Sequence, residues 1–368
     1  MKILMVNRAD ALTNYGGDTT QMLETQKELK KVGISVDLAF GSQSKRKYRA
    51  YDIIHFFNLQ TAQFIYNEIL KVKKLEKPFV LSTIWWDFHD DYLSSMGDVG
   101  NSKLLDLLTK NLVLNAYKLN LKISVQPKQK FILDAADFIL PNSNAEVHIL
   151  KERFKDLDLD NISVVPNGVS RQFLLENDYE LPVELKKLNL CSNQYALQVG
   201  RIESGKNVLT TIKLCKEMDI PLVLIGKQWR SKFFKSYFNK YMKTCKVESG
   251  ENTYFLGPID NQSIMPFYQH AKIHVLPSIR ETPGLTNLEA GVLGCNVVTT
   301  EIGSTQEYFK DLAYYCNPKE YDSIGKAIED AWNSKKNSKL KERIARKYTW
   351  EKAAKITLDS YDTLMNEF

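Results

Sequence analysis

The sequence predicts an α/β protein built from two doubly wound domains, each around a parallel sheet. At 368 residues the chain is longer than one ordinary domain core requires. Short runs rich in Val, Ile and Phe alternate with stretches of helical periodicity, which is typical of β-α-β units. The alternation occurs as two series separated by a polar, irregular segment, 167–190. We therefore expect one domain over residues 1–168 and a second over 169–349.

The elements of each series follow from these apolar runs and periodic stretches. In the first series we predict strands at 3–6, 36–40, 52–57, 78–84, 137–140 and 163–166, and helices at 18–32, 60–74 and 103–121. In the second we predict strands at 195–199, 221–225, 253–256, 273–277 and 296–300, and helices at 206–217, 230–246, 261–270 and 284–294. A last long helix is predicted over 350–368.

Composition excludes several classes of protein. The five cysteines are odd in number and form no C-x-x-C pair, which argues against a disulfide framework or a zinc site. The longest apolar runs are far too short to span a bilayer, and Met1-Lys2 leads directly into a strand. A net charge of +6 suits anionic substrates or an anionic membrane surface without requiring nucleic acid. We expect a cytoplasmic protein, and association with the cytoplasmic face of a membrane is the alternative.

The stretch 280–293, RETPGLTNLEAGVL, carries two carboxylates eight residues apart directly behind an apolar strand. Thr282 and Pro283 are interpreted as the N-cap and first position of a helix. Glu289 then falls on the apolar face of that helix and needs a polar partner. Glu281 precedes the helix at the carboxyl end of the strand, where open α/β sheets bind ligands. A salt-bridged helical Glu and an exposed loop Glu remain the alternative.

Two glycine-containing loops that precede helices are candidates for phosphate binding. One contains Gly16 and Gly17, and the other runs from Gly200 to Asn207. The second nearly matches the P-loop, but Asn207 stands where a hydroxyl must bind Mg²⁺. What remains is Arg201 and Lys206, two cations suited to a diphosphate without metal. An ordinary turn in the first loop and solvated surface charges in the second are the alternatives.

Taken together, several motifs resemble the retaining glycosyltransferases of family 4, which have the GT-B fold. The motifs are Gly16-Gly17, Pro166-Asn167-Gly168, Val199-Gly200-Arg201 with Lys206, Phe255-Leu256-Gly257, Leu276-Pro277-Ser278, Glu281 and Glu289 with Ala290, and Glu307. The resemblance spans almost the whole chain and implies two Rossmann-like domains facing across a cleft. The closing helix 350–368 resembles the one that returns to complete the first domain.

The resemblance also implies a role for each matched residue. Glu289 would bind the ribose of a nucleotide-diphospho-sugar and Glu281 the hydroxyls of its sugar, while Arg201 and Lys206 would bind the diphosphate. Further contacts to the sugar donor are implied for Gly16, Gly17, Gly226, Lys227, Leu256, Gly257, Pro258, Gly284, Leu285 and Thr286. No cofactor and no metal are implied, and the reaction would retain the anomeric configuration.

The chain departs from the family pattern after the fourth strand, where many members carry a His. Here Trp85 and Trp86 stand instead, so either Asp87 or His89 substitutes for the His, with Asp87 as the catalytic candidate, or the role is absent. The acceptor side is predicted to comprise His55, Asn58, Trp85, Trp86, His89, Asn142 and Ser143. A core position for His55 and simple packing for the two tryptophans remain open.

The resemblance implies transfer to a glycan or lipid-linked acceptor, as in bacterial surface polysaccharide or lipopolysaccharide synthesis. There are two alternatives. One is an epimerase or phosphorylase of the same fold, and the other is a catalytically silent subunit that binds a sugar-nucleotide or a glycan. Basic clusters at 45–49 and 71–77 are candidates for contact with an anionic membrane. For the aromatic and basic helix predicted over 229–243, packing on the second sheet is favoured over membrane contact. No nucleic-acid motif is present.

Overall fold

The computed structural model describes residues 1–86, 115, 119–157, 160–228 and 235–367. They divide into two compact units. The first takes the described residues up to 170 together with 348–367, and the second takes 171–347. Each unit contains one sheet whose strand pairs are all parallel. The predicted α/β fold class, two Rossmann-like parallel-sheet domains, is therefore confirmed.

The first unit has a five-stranded sheet with strand order β2-β1-β3-β4-β5. Its strands are β1 (Lys2–Asn7), β2 (Ser35–Phe40), β3 (Ile53–Phe57), β4 (Phe79–Ser82) and β5 (Phe138–Leu140). Its helices are α1 (Gly17–Lys31), α2 (Lys45–Arg49), α3 (Ala62–Lys73), α4 (Gln126–Ala135) and α5 (Asn144–Arg153), with a π-helical turn, Leu121–Val125, directly before α4. Strands β3 and β4 are buried along their whole length, as a sheet covered on both faces requires.

The second unit has a six-stranded sheet with order β11-β10-β9-β6-β7-β8. Its strands are β6 (Ala196–Val199), β7 (Leu222–Ile225), β8 (Thr253–Gly257), β9 (Ile273–Leu276), β10 (Asn296–Thr300) and β11 (Tyr314–Cys316). Its helices are α6 (Val183–Lys187), α7 (Val208–Glu217), α8 (Lys235–Glu248), α9 (Met265–His270), α10 (Leu285–Val292), α11 (Thr305–Phe309), α12 (Tyr321–Asn333) and α13 (Ser338–Lys347). The chain then returns to the first unit as α14 (Trp350–Glu367), which packs on α1.

The strand predicted at 163–166 is wrong, and Pro141 explains why. Only Ile162 forms a β-bridge there, with Ile139 of β5. Ser163 donates its N–H to the Ile139 carbonyl at 3.1 Å, and Val165 donates to the Pro141 carbonyl at 2.8 Å. Between these two bonds a parallel ladder needs an N–H from residue 141, which proline lacks. The segment runs beside β5 without becoming a strand.

The predicted start of the helix after β9 is also wrong. Thr282 and Pro283 do not cap it: they are joined by a cis peptide bond, and α10 begins at Leu285 with Gly284 as its N-cap. Gly284 has φ = 85°, which no residue within a right-handed helix adopts. The short helix α6 lies in a segment expected to be irregular, and most of the helix predicted over 103–121 lies outside the described residues.

The aromatic and basic stretch 229–243 is described only in its second half. There Tyr241 of α8 is buried, and its hydroxyl accepts the N–H of Leu209 at 3.0 Å. This side chain therefore packs on the second unit. Across the part of the chain that the structure covers, no helix combines the length and the apolar character needed to cross a bilayer.

Candidate active site

Two loops at the carboxyl edge of the second sheet are joined by hydrogen bonds and carry three of the predicted charged residues, Arg201, Lys206 and Glu281. One follows β6 and includes a 3-10 turn, Ser204–Lys206, and the other follows β9. The side-chain amide of Asn207 donates to the carbonyl of Pro277 at 2.7 Å, and the N–H of Ile279 donates to the carbonyl of Gly205 at 3.0 Å. These bonds fix the position of Lys206 relative to the loop that leads into α10.

Glu281 lies in the β9 loop with only 7% of its surface exposed. Its Oε1 atom accepts a hydrogen bond from the Ser278 hydroxyl at 2.7 Å and forms an ion pair with the Lys206 ammonium group. Its backbone carbonyl accepts the N–H of Ser304 at 3.0 Å. A Cβ atom at Gly303 would stand 2.0 Å from that same carbonyl oxygen, so only glycine permits this close approach. Glu281 is therefore fixed in position through both its side chain and its backbone.

Gly284 separates this carboxylate from the start of α10. A Cβ atom there would lie 2.9 Å from Nδ2 of Asn287 and 3.3 Å from Oε2 of Glu281. The glycine therefore allows both side chains to lie close to the start of the helix. The backbone N–H groups of Leu285 and Thr286 belong to the first turn, where no intrahelical carbonyl can accept them. Such N–H groups, with the helix dipole, favour an anion.

Glu289, one turn further along α10, has the polar partner that its position required. The hydroxyl of Tyr268, in α9, donates to Oε2 of Glu289 at 2.9 Å. Burial, together with the negative charge of Glu289, raises the pKa of Tyr268 well above its ordinary value. The phenol therefore stays protonated and remains a hydrogen-bond donor to the carboxylate.

A buried network below α10 fixes the helix on the sheet. His274 of β9 bonds through Nδ1 to the side-chain oxygen of Asn287 at 2.9 Å, and its Nε2 accepts the N–H of Val199 at 3.3 Å. Asn287 also donates to the hydroxyl of Thr299 in β10 at 3.0 Å. Burial lowers the pKa of His274 to about 4, although its bond to Asn287 acts in the opposite direction. The imidazole is neutral at pH 7, with its proton on Nδ1.

Three glycines stand at the carboxyl ends of neighbouring strands β6, β7 and β8. The N–H of Gly200 donates to the carbonyl of Ile225, and that of Gly226 donates to the carbonyl of Gly257, both at 2.9 Å. A Cβ atom at Gly226 would be 1.8 Å from the carbonyl oxygen of Gly200. A register shift pairs Ile225 with Gly257 instead of Leu256. The result is a backbone-lined edge, beside which Lys227 and Pro258 are exposed.

Arg201 follows directly after this glycine edge. Its guanidinium group pairs with the buried carboxylate of Glu203 at 3.0 Å, and 40% of its side chain is exposed. The pairing orients the guanidinium while a large part of it still faces solvent. Glu203 was not predicted, although its position between Arg201 and Lys206 was visible in the sequence.

In the first unit, Gly16 is the N-cap of α1, and the helix begins at Gly17. Beside them lies an ion pair that the sequence did not reveal: the Arg8 guanidinium contacts both oxygens of Asp18, at 3.0 and 3.2 Å. Burial acts to raise the pKa of Asp18, but the bonds and charge of Arg8 outweigh it, and the pKa lies below its ordinary value. Asn58 donates to the same carboxylate at 3.1 Å.

The structure does not support an acceptor contact for His55, Trp85 or Trp86. His55 is 1% exposed, and its ring nitrogens bond to the hydroxyls of Tyr361 at 2.5 Å and Ser82 at 2.9 Å. Burial lowers the pKa of His55 to about 3, so the ring is neutral. Trp85 packs on Phe154 in the core with ring centroids 5.3 Å apart, and Trp86 is also buried. All three side chains are buried, as the alternative of core packing expects.

Asn142 and Ser143 are likewise buried, which corrects their predicted place on the acceptor side. Ser143 caps α5 by accepting the N–H of Glu146 at 3.0 Å. The carboxylate of Glu146 accepts the N–H groups of Trp85 and Asn142, both at 2.7 Å. The spacing Ser-x-x-Glu over 143–146 is a capping signal that could have revealed this junction.

Burial raises the pKa of Glu146 to about 7, against the effect of its hydrogen bonds. Because it joins the ends of two loops at the carboxyl edge of the first sheet, its role is to position backbone. The predicted residues Asp87 and His89 lie outside the described residues.

Comparison with known proteins identifies relatives of this architecture. Residues 185–348 match the family model described as "Glycosyl transferases group 1". The O-antigen chain mannosyltransferase B of Escherichia coli is 24% identical over 247 residues, which is 64% of this chain and 61% of the relative. The chain thus spans about three fifths of the length of this curated relative.

Two solved structures share the fold over nearly their whole length. Sucrose-phosphate synthase from Thermosynechococcus elongatus aligns with a TM-score of 0.76 at 16% identity, covering 100% of both chains. HepE of Anabaena, solved in complex with UDP, aligns with a TM-score of 0.71 at 13% identity, covering 99% of this chain and 100% of that one. The fold is GT-B, and the matched segment, which includes Lys206, Glu281 and Glu289, supports a glycosyltransferase.

Proposed function

We propose that the protein is a retaining, metal-independent glycosyltransferase that moves a sugar from a UDP- or GDP-sugar to a glycan or lipid-linked acceptor. The observation that carries the proposal is the buried Glu281, held by Lys206 and Ser278 beside the first turn of α10. The UDP complex of HepE and the O-antigen mannosyltransferase favour a nucleotide-sugar and a bacterial surface polysaccharide or lipopolysaccharide. We place the reaction in the cytoplasm.

In this proposal, Lys206 and the N-terminus of α10 stabilise the departing nucleoside diphosphate. Breaking the bond between sugar and phosphate leaves negative charge on the phosphate and positive character on the sugar ring. Fixed cations and N–H dipoles lower the energy of such a transition state more than that of the substrate. Lys206 already balances the charge of Glu281, so an incoming diphosphate would share this cation with the carboxylate. Glu281 would then be available to the hydroxyls of the transferred sugar.

The remaining contacts to the sugar donor follow from the same edge of the sheet. Glu289, oriented by Tyr268, would accept hydrogen bonds from the ribose hydroxyls. The backbone edge formed by Gly200, Gly226 and Gly257 would admit the flat base, because no side chain projects from these three positions. Arg201 would supply a second cation to the diphosphate. The first unit would hold the acceptor, with Asp87 and His89 as candidates for direct contact.

The test has two stages, of which the first identifies the nucleotide. Melting curves in the presence of UDP, GDP, ADP and their sugars should show stabilisation by one nucleotide series, which increases with ligand concentration as RT ln(1 + [L]/Kd). Failure of every nucleotide to stabilise the protein would contradict the proposed binding site.

The second stage tests chemistry with the nucleotide-sugar found in the first. Glu281→Ala should reduce turnover about 10²-fold or more while nucleotide binding stays measurable. Glu301→Ala, an exposed carboxylate in the same unit, should leave turnover unchanged. Unchanged turnover in Glu281→Ala would overturn the assignment. Release of an epimerised sugar, or cleavage that requires phosphate, would instead identify an epimerase or a phosphorylase.

A further inference from the structure

Helices α2, α3 and α4 form one layer over the first sheet, and their outer face combines exposed apolar and basic side chains. All three contribute to the same buried core beneath them, through residues such as Tyr48, Ile65 and Ile132. We propose that this outer face docks on an anionic lipid bilayer. The proposal goes beyond the proposed function, since it concerns a surface and not the chemistry.

The apolar part of the surface lies mainly on the continuous helical stretch 119–135, which includes the π-helical turn and α4. Its outer side carries Leu119, Ile123 and Phe131, which are 58%, 67% and 37% exposed. Phe131 contacts Tyr66 of α3 edge-on with ring centroids 5.1 Å apart, and Leu70 of the same helix is 38% exposed. These side chains form the apolar row.

The basic part adjoins it through α3 and α2. Helix α2 has the sequence KRKYR, four cations without an acidic residue, and Lys73 and Lys74 are exposed at the end of α3. Lys71 bonds to the hydroxyl of Ser42 at 2.7 Å and thereby holds the end of α3 beside the loop that precedes α2. These side chains form the basic cluster, whose members are Lys45, Arg46, Lys47, Arg49, Lys73 and Lys74.

Among the described residues of α2, α3 and α4, few negative charges offset the cluster. Glu68 is 2% exposed and is bound by Lys71 and Tyr48. Asp134 is paired with Lys130 at 2.8 Å. Glu76 is exposed and is the acidic residue closest in sequence to Lys73 and Lys74. The face therefore keeps a strong positive charge, which attracts anionic headgroups at about 1 kcal/mol per basic residue.

The combination of features favours a bilayer over other occupants. Exposed Leu, Ile and Phe side chains gain by entering the boundary between headgroups and acyl chains, while flanking lysines contact lipid phosphates. A symmetric second copy would bring the basic cluster of each chain against the same face of its partner, where like charges repel. An acidic soluble ligand would satisfy the cations but would leave the apolar row in water.

The experiment measures sedimentation of the full chain with vesicles, without any nucleotide-sugar. The probes are vesicles of phosphatidylglycerol and phosphatidylcholine in equal parts, and vesicles of phosphatidylcholine alone. We expect binding to the anionic vesicles that weakens with added salt. Replacing Lys45, Arg46 and Arg49 together by Gln should weaken binding roughly a hundredfold. The pair Leu119→Ser and Ile123→Ser should weaken it roughly tenfold or more.

The control is Val247→Ser, which removes a side chain that is 71% exposed in the second unit, and it should bind as the unaltered protein does. Equal binding to both vesicle types, no binding to either, or unchanged binding by the two surface variants would overturn the proposal. The proposal would also be overturned if the protein formed concentration-dependent dimers without lipid and the Leu119→Ser, Ile123→Ser double variant abolished them. Nucleotide stabilisation measured on the same variants reports separately on the proposed function, because it does not involve this surface.

Discussion

At the scale of single residues, each charged side chain described in the candidate active site is paired with another charge or with a hydrogen-bond donor. Lys206 offsets the charge of Glu281, Glu203 that of Arg201, and the Tyr268 hydroxyl donates to Glu289. Carboxylates this poorly exposed need such partners, because an unpaired buried charge costs several kcal/mol. A ligand that enters the site must therefore replace or share existing bonds, and specificity arises from which of them it can share.

Tyr268 offers the sharpest test of this view. Tyr268→Phe removes the hydrogen bond to Glu289 and leaves the ring in place, so the carboxylate loses its fixed orientation. A hydrogen bond to a charged group contributes about 1.5–3 kcal/mol, and we expect the nucleotide Kd to rise about tenfold or more with little change in kcat. Titration calorimetry with the nucleotide that stabilises the protein measures this effect.

Tyr195→Phe is the matched control for that variant. It also removes a buried hydroxyl of the second unit, one that donates to the Phe267 carbonyl at 2.5 Å, but it does not contact Glu289. Stability should fall in both variants, whereas only Tyr268→Phe should weaken nucleotide binding. Equal nucleotide affinity in the two variants would show that Tyr268 does not orient Glu289.

Residue type and spacing indicated Glu281, Glu289 and Lys206 as candidates, because charges behind an apolar strand are few and conspicuous, and their roles stay predictions. They could not predict the partners of these charges. Tyr268 lies 21 positions from Glu289 and Arg8 lies 10 from Asp18, and such pairings depend on how helices pack. The positions of His55 and Trp85 stayed open for the same reason, and the burial of Asn142 was not predicted, since a polar or aromatic residue after a strand can face either the core or the solvent.

At the scale of elements, α10 is held to the sheet by polar bonds as well as apolar packing. His274, Asn287 and Thr299 join β9, α10 and β10 through bonds of 2.9 and 3.0 Å. The network requires a neutral imidazole that accepts the N–H of Val199. Protonation of His274 would remove this acceptor and place a positive charge in a buried site, so acid should loosen α10 and β6 together.

The pH dependence of this element has a definite sign. The pKa of His274 is lowered to about 4 from an ordinary 6.5, so its contribution to stability is complete above pH 6.5 and is lost as the pH falls towards 4. At pH 5 the loss should reach about 2 kcal/mol. Hydrogen exchange of the β6 and β9 amides at pH 7 and pH 5, corrected for intrinsic rates, measures it.

His274→Gln should largely remove this dependence, because glutamine does not titrate. His148→Gln, at a side chain that is 75% exposed, should leave the dependence as it was. The pH dependence of stability is harder to interpret in the first unit. The pKa of Glu146 is raised to about 7, so its protonation increases stability as the pH falls and opposes the effect of protonating His55. An unchanged pH dependence in His274→Gln would contradict the assignment.

The sequence predicted strands well where apolar runs were unbroken and failed where one backbone group decided the outcome. Pro141 interrupts the ladder beyond Ile162, and the positive φ of Gly284 delays α10 to Leu285. Neither effect changes the hydrophobic pattern on which the prediction depended. The elements from α11 to α13 were not predicted, although α12 has the apolar periodicity that packs it on the sheet.

At the scale of the whole molecule, the first unit is assembled from both ends of the chain. Val169 donates its N–H to the Tyr348 carbonyl at 2.9 Å and accepts the N–H of Trp350 at 3.3 Å, so the departing and returning segments pair side by side. The Tyr361 hydroxyl of α14 then reaches His55 in the centre of the first sheet. The core of this unit therefore cannot be completed before the last helix has been made.

Gly168 is the point at which this crossing can be tested. A Cβ atom there would lie 2.3 Å from the carbonyl carbon of Thr349 and 2.6 Å from the backbone nitrogen of Trp350. Both atoms belong to the backbone, so Gly168→Ala must push the segment around Thr349 and Trp350 away. We expect it to lower the free energy of unfolding by about 1–3 kcal/mol. Gly250→Ala, where the nearest atom would be 3.4 Å away on a lysine side chain, should change it little. Urea unfolding of both variants measures the difference, and equal stabilities would show that the return of α14 does not depend on this close contact.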